Sequence, residues 1–185
     1  KILLATNEQI NLISRKDTDQ IWTHHILHSL SIAKVIRFAD DNYIADVGTG
    51  GGLPGIPLAI AFPSCKFTLI DSIGKKIAAI NEMNSHLGLK NVTTVNDRME
   101  NIPQRFDFVV SRAVSSLPAM QGWLKGKIIK GKSGPIANGL IYIKGGDFET
   151  ELKEIKRVSR VWNISEMFDD PFFETKKVVW LDLAS

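Results

Sequence analysis

The chain has 185 residues, 44% of them hydrophobic and 23% charged, with a formal net charge of +3. That length suits a single domain with a real core, and the balance excludes a disordered chain. The modest positive charge is compatible with a polyanionic partner without demanding one. No apolar run approaches the roughly 20 residues that span a bilayer, and Lys1 to Leu12 does not read as a signal peptide. The start at Lys1 instead of Met leads us to expect sequence ahead of it. One cysteine, Cys65, excludes an intrachain disulfide and argues against structural zinc, so a reducing, cytoplasmic setting is expected.

Residues 1–40 read as a helical extension. Asp17 or Thr18 can cap a helix that places Ile21, Trp22, Ile26, Leu30 and Ala33 on one face. From about residue 41 the texture alternates. Tyr43 to Val47 is a short apolar run ending in a glycine cluster, as a buried parallel strand does. Leu53 to Phe62 reads as a helix with prolines near its start and Pro63 as its stop. Lys66 to Ile70 is a second strand, ending at Asp71. Ile73, Ile77, Ile80, Asn84 and Leu87 then keep a helical period up to Gly88, a C-terminal cap. Val92 to Val95, Phe106 to Val110 and Leu140 to Ile143 follow as strands, and Val178 to Leu183 as the last. The alternation predicts one α/β domain over residues 1–185, a doubly wound, mostly parallel sheet of about seven strands. Ligands in such sheets bind beyond the carboxyl ends of the strands, so the residues there carry the function.

Asp46-Val47-Gly48-Thr49-Gly50-Gly51-Gly52 joins the first strand to its helix. Glycine here admits positive φ and lets a ligand approach the backbone. Gly50-x-Gly52-x-x-Gly55 satisfies the dinucleotide fingerprint, with Asp71 at a suitable distance for a ribose-binding acid. The set Asp46, Gly48, Gly50, Gly52 satisfies a methyltransferase reading equally. Asp46 tips the choice. Dinucleotide enzymes keep an apolar residue at that point, whereas an acid there favours the positively charged end of S-adenosylmethionine, directly or through water. A tight turn without a ligand is the bland alternative. Asp71 can accept both ribose hydroxyls or, more plainly, cap the next helix together with Ser72.

Gly126 to Ser133 matches the P-loop pattern G-x-x-x-x-G-K-[ST]. A helical stretch, Pro118 to Leu124, leads in, and Gly134-Pro135 blocks a helix after it, so the match is chance in a flexible basic loop. Lys125, Lys127, Lys130 and Lys132 could still meet a phosphate backbone, or simply be solvated.

Taken together, these residues resemble the bacterial small-subunit (16S) ribosomal RNA guanine-N7 methyltransferase family, RsmG, also called glucose-inhibited division protein B. The likeness runs from about Asn11 onward. It rests on Asn11-Leu12, on His25-Ile26-Leu27 with Ser29-Leu30, and on the string from Asp46 to Leu58. Asp71-Ser72 with Gly74-Lys75-Lys76, Ser111-Arg112-Ala113 and Lys144-Gly145 complete it. Gly51 replaces a customary proline, His28 a customary aspartate, and the match is loose after about Gly146.

The resemblance implies a Rossmann-like class I methyltransferase with S-adenosylmethionine contacts at Gly48, Leu53, Met99, Glu100 and Arg112. Met99 offers an apolar surface for adenine, and Arg112 suits either the cofactor carboxylate or an RNA phosphate. Surface or structural roles are the alternatives for Glu100 and Arg112. Guanine N7 has a lone pair and no proton, so orientation can carry the catalysis without an acid or base. His25 and Ser29 are expected to flank the substrate, with Lys144 on the RNA. None of His24, His25, His28 and His86 reads as a metal ligand. The chain is expected to act as a monomer, with no metal and no membrane. Two other readings stay open: a methyltransferase for a small molecule or protein, and a nicotinamide-dependent dehydrogenase or nucleotide-binding module.

Overall fold

The computed structural model describes residues 2–10, 12–146 and 148–185; Asn11 lies outside them. The strands are β1 (Tyr43–Val47), β2 (Lys66–Ile70), β3 (Val92–Val95), β4 (Phe108–Arg112), β5 (Gly139–Gly145), β6 (Ser159–Asn163) and β7 (Lys176–Asp182). The helices are α1 (Ile2–Gln9), α2 (His28–Val35), α3 (Gly55–Ala61), α4 (Gly74–Leu87), α5 (Leu117–Trp123) and α6 (Glu149–Ile155). The seven strands form one sheet in the order β3-β2-β1-β4-β5-β7-β6. Strands β1 to β5 pair in parallel, whereas β7 runs antiparallel between β5 and β6. That wedge distinguishes the sheet from the six-strand dinucleotide order 3-2-1-4-5-6.

Alternation along the buried strands sends side chains to two cores. Ile44, Phe67, Leu69, Phe108, Val110, Ile141 and Val178 share a cluster with Ile32 of α2 and Ile36 just after it, Ile56 and Leu58 of α3, and Ile80 of α4. On the other face Ala45, Val47, Val109, Leu140, Tyr142 and Val179 meet Leu117 and Met120 of α5 and Ile155 of α6. A third cluster, Leu3, Ile13, Leu53 and Met83, fastens α1 to α4 and to the first loop of the sheet.

β1, β2 and β3 lie where the sequence places them, and Gly88, at φ 66°, ends α4 in a left-handed cap. The fourth strand is shifted by two residues. Phe106 forms an isolated bridge with Ile128 instead, and the buried Asp107 carboxylate accepts from the Tyr43 amide at 2.8 Å. Ile73 and Leu87 of the expected helical stripe are exposed, leaving Ile77, Ile80 and Met83 inside.

The amino-terminal helix departs most. Residues Arg15–Gln20 form a 3-10 turn and Ile21–Leu27 a π-helical segment before α2 begins. The buried line is His25, His28, Ser29 and Ile32, while Trp22 is 76% exposed, so the expected face is corrected. A π-turn closes i→i+5 bonds, and a 3.6-residue period drifts off its stripe there. Asp17 does not cap the segment; its carboxylate lies 3.1 Å from His24 Nδ1.

The P-loop-like stretch follows α5 and is followed by turns and the buried Asn138, so the pattern lacks its architecture. Lys127 donates its ammonium protons to the Glu100 and Ile102 carbonyls, which withdraws it from the candidate phosphate set; Lys125, Lys130 and Lys132 are exposed.

Candidate active site

The ends of β1, β2 and β4 and the turn after β3 converge on a cavity of about 450 Å³. Val47 and Gly48 form its floor, Asp71, Ser72 and Lys76 one side, and Asp97 to Glu100 another. Arg112, Ala113, Val114 and Trp123 close the third. The volume falls in the range of ordinary small-ligand sites.

The glycine loop is built around two carboxylates. Gly48 and Thr49 turn their amides onto the Ile70 carbonyl at 2.9 and 3.1 Å, which ties the loop to β2. Gly48 has φ +68°, and a Cβ there would stand 2.5 Å from Val114 Cγ2, so only glycine fits this floor. Asp71 Oδ2 accepts from the Gly50 amide at 3.0 Å, and its Oδ1 accepts from Ile73 at 2.9 Å. Asp71 therefore lines the cavity and folds the turn before α4, but it does not cap that helix. Ile73 is the N-cap and no side chain caps it, so the capping reading of Asp71 and Ser72 is corrected.

Asp46 is fully buried and does not line the cavity. Its Oδ2 accepts from the Thr49 hydroxyl at 2.7 Å and the Gly55 amide at 2.8 Å. Its Oδ1 is buried and has no partner among the described residues. Burial raises its pKa to about 6, against the lowering pull of Thr49, Gly55 and Arg112. Asp46 thus braces the loop from beneath, and any influence on a ligand passes through its charge. Gly52 and Leu53 close the turn on the Thr49 carbonyl, both at 2.9 Å. The Leu53 side chain packs with Leu3 and Met83, away from the cavity.

Met99 is buried at the wall, and Glu100 is exposed beside it. Asp97 accepts from the Arg98 amide and from Asn101 Nδ2, both at 2.7 Å, and these bonds lower its pKa.

Arg112 links the cavity to the amino-terminal segment. It donates from Nη1 to the His24 carbonyl at 3.3 Å and from Nη2 to His25 Nδ1 at 3.1 Å. An arginine only donates, so His25 is neutral with its proton on Nε2. Burial first, then Arg112, depresses the His25 pKa to about 4, consistent with that state. Ser29 is buried and donates its hydroxyl to the His25 carbonyl at 2.6 Å. His24 stacks on Phe172 at 3.9 Å, and His28 meets Phe172 and Phe173 edge-on.

Lys144 is held by Glu151 at 2.7 Å, with its side chain 14% exposed, so its ammonium is engaged within the protein. Reading the sequence missed Asp97, Arg98, Val114 and Trp123 of the cavity wall, and it missed Tyr142. The Tyr142 hydroxyl sits under the wall, where the Val114 and Ser115 amides donate to it. Nothing in the pattern of a buried apolar strand marks such a hydroxyl.

A sequence profile of the family described as rRNA small subunit methyltransferase G matches residues 1–176. The protein named "Ribosomal RNA small subunit methyltransferase G" from Christiangramia forsetii is 50% identical over 177 residues, covering 96% of this chain and 83% of that protein. Its namesake from Flavobacterium johnsoniae is 51% identical, covering 96% and 84%. Among solved structures, a SAM-dependent methyltransferase from Aquifex aeolicus superposes with TM-score 0.62 at 18% identity, covering 91% of this chain and 98% of that one. An rRNA methylase from Streptococcus thermophilus gives 0.57 at 16% identity, covering 85% and 95%. These likenesses show a shared fold. The profile and the half-identical relatives go further: the chain belongs to the family of ribosomal RNA small subunit methyltransferases G.

Proposed function

We propose that this chain transfers the methyl group of S-adenosylmethionine to N7 of a guanine in small-subunit ribosomal RNA. The observation that carries the reading is the cavity at the ends of β1, β2 and β4, with family membership behind it. Its residues fit the cofactor. Asp71 can accept ribose hydroxyls, the Met99 side chain offers adenine an apolar face, and Gly48 leaves the floor open to a ligand. Arg112 brings a cation to the side of the cavity nearest the amino-terminal segment. It suits a carboxylate or a phosphate.

When bound, the cofactor supplies an electrophilic methyl group on a sulfonium. The protein's own task is orientation, because guanine N7 presents a lone pair and no proton to remove. Val114 and Gly48 hold the floor in place. His25 and Ser29 act one step back from the reaction: Ser29 fixes the His25 carbonyl, and His25 fixes the Arg112 guanidinium. Arg112 in turn orients whichever anion it meets. Lys144 serves the wall through Glu151, whose carboxylate also accepts from the Leu117 amide at 2.7 Å. We read the active species as a cytoplasmic monomer, the compartment being that of ribosomal RNA.

The deciding test incubates the protein with methyl-labelled S-adenosylmethionine and small ribosomal subunits from cells lacking this activity. Label mapped to one guanine as 7-methylguanosine is the expected result. Cofactor binding without transfer to RNA would move the substrate to a small molecule or protein. Binding of a nicotinamide dinucleotide in place of S-adenosylmethionine would overturn the reading altogether.

A further inference from the structure

Tyr142 lies in β5, in the middle of the sheet, with no exposed surface. Its ring packs among Leu117, Met120 and Phe148, as a phenylalanine would. The hydroxyl is what needs explaining. It accepts from the Val114 amide at 2.8 Å and from the Ser115 amide at 2.9 Å, and it donates to the Ser115 carbonyl at 2.7 Å. A phenol has one proton and two acceptor sites, so its capacity is fully used on one short stretch of backbone.

That stretch is the wall of the cavity. Ala113 and Val114 line it, and the Val114 side chain lies over the Gly48 floor. The wall is not a relaxed turn. Ala113 stands at φ +51°, a conformation that disfavours any residue with a Cβ. Among the described residues, the one backbone bond from this stretch to the sheet is Ala113 to the Ile143 carbonyl at 3.3 Å, at the long end of the range. Beyond it, the Ser116 hydroxyl caps α5 and Glu151 receives the Leu117 amide. Between these anchors, Val114 and Ser115 depend on one phenolic oxygen.

We propose that Tyr142 is a positioning residue for methyl transfer: its hydroxyl holds the Ala113–Ser115 wall in the shape that receives the cofactor. The proposal rests on the reading of the cavity as the S-adenosylmethionine site. It assigns the hydroxyl to the cofactor side of the reaction only. Being fully buried, the oxygen cannot itself touch RNA, so its loss is expected to act first on cofactor affinity.

The test is Tyr142→Phe, which keeps the ring and the packing. Loss of the hydroxyl leaves two amides and a carbonyl to find water, and the wall spends less time in its binding shape. We expect the dissociation constants for S-adenosylmethionine and S-adenosylhomocysteine, read by calorimetry, to rise roughly tenfold, because water recovers part of what the three lost hydrogen bonds supplied. The KM for cofactor should rise in parallel, while kcat and the KM for ribosomal subunits stay within about twofold. Amide exchange at residues 114 and 115 should quicken, and saturating cofactor should suppress the difference. Unchanged cofactor affinity, with or without a lower melting temperature, would overturn the proposal and leave the hydroxyl a purely structural group. A wild-type protein that does not bind S-adenosylmethionine would instead overturn the assignment of the cavity, and the role of Tyr142 with it. Those two failures are told apart by the wild-type titration alone.

Discussion

At the scale of single residues, the first loop of the sheet works by exclusion of side chains and burial of charge. A Cβ at Gly48 would meet Val114 at 2.5 Å from a backbone at φ +68°, and one at Gly55 would meet Asp46 Oδ2 at 2.7 Å. Gly48→Ala should therefore weaken S-adenosylmethionine binding by about five- to thirtyfold in calorimetry, since strain of about 1–2 kcal/mol falls on the floor itself. Wild-type affinity in that variant would show that Val114 moves aside freely. Burial also sets a pH dependence. It holds His25 at about 4 and His28 at about 3, below the ordinary 6.5, and lifts Asp46 from 3.8 to about 6. As pH falls from 6.5 toward 4, unfolded chains protonate both histidines and folded chains do not, so stability falls. Asp46 opposes this below about 6, because the folded chain takes up its proton first. The balance is a loss of about one proton's worth, roughly 1.4 kcal/mol per pH unit. His28→Asn should remove one histidine and flatten that slope. Urea unfolding of both proteins between about pH 4.5 and 6 measures it, and equal slopes would refute the assignment.

Elements were legible in the sequence where burial was uniform, and less so where it was not. β1, β2 and β3 are short apolar runs between turns, and their limits could be read directly. β6 was missed because it is an edge strand, with Ser159, Arg160 and Asn163 turned to solvent, so no apolar run marks it. α6 was missed because its two turns are mostly acidic and basic residues, with only Leu152 and Ile155 reaching the core. The site shows the same division: Gly48 and Asp71 follow strand ends, where position argues function, whereas Met99 and Arg112 were singled out by the family resemblance. Asp97, Val114 and Trp123 reach the cavity only through tertiary packing. The amino-terminal segment shows how a local irregularity defeats periodicity. Trp22 belongs to the expected apolar face but is 76% exposed, whereas Ile32 is fully buried. Trp22→Ala should thus change stability by no more than about 0.5 kcal/mol, while Ile32→Ala should cost about 2–5 kcal/mol. Chemical denaturation of the two variants decides it, and a large loss from Trp22→Ala would mean that the π-helical segment packs otherwise.

For the whole molecule, the question is whether the helical extension is a separate unit. Three contacts argue that it is continuous with the sheet. Ile32 and Ile36 sit inside the larger core, Leu3 and Ile13 close over Leu53 and Met83, and Arg112 bonds across to His24 and His25. The last of these joins the extension to the cavity at the strand ends, so ligand binding there and folding of the extension should be linked. We expect a single unfolding transition, with amides of residues 25–36 exchanging in the same step as those of β4 and β5. S-adenosylmethionine at about a hundredfold over its dissociation constant should stabilise the folded chain by about 2.7 kcal/mol. In a protein of this size that raises the melting temperature by about 5–10 °C. The rise should appear equally in probes of the extension and of the sheet, and a nicotinamide dinucleotide at the same concentration should produce none. Two separated transitions, with only the later one shifted by the cofactor, would make the extension an independent unit. The Arg112 bonds would then be a contact between parts that fold alone.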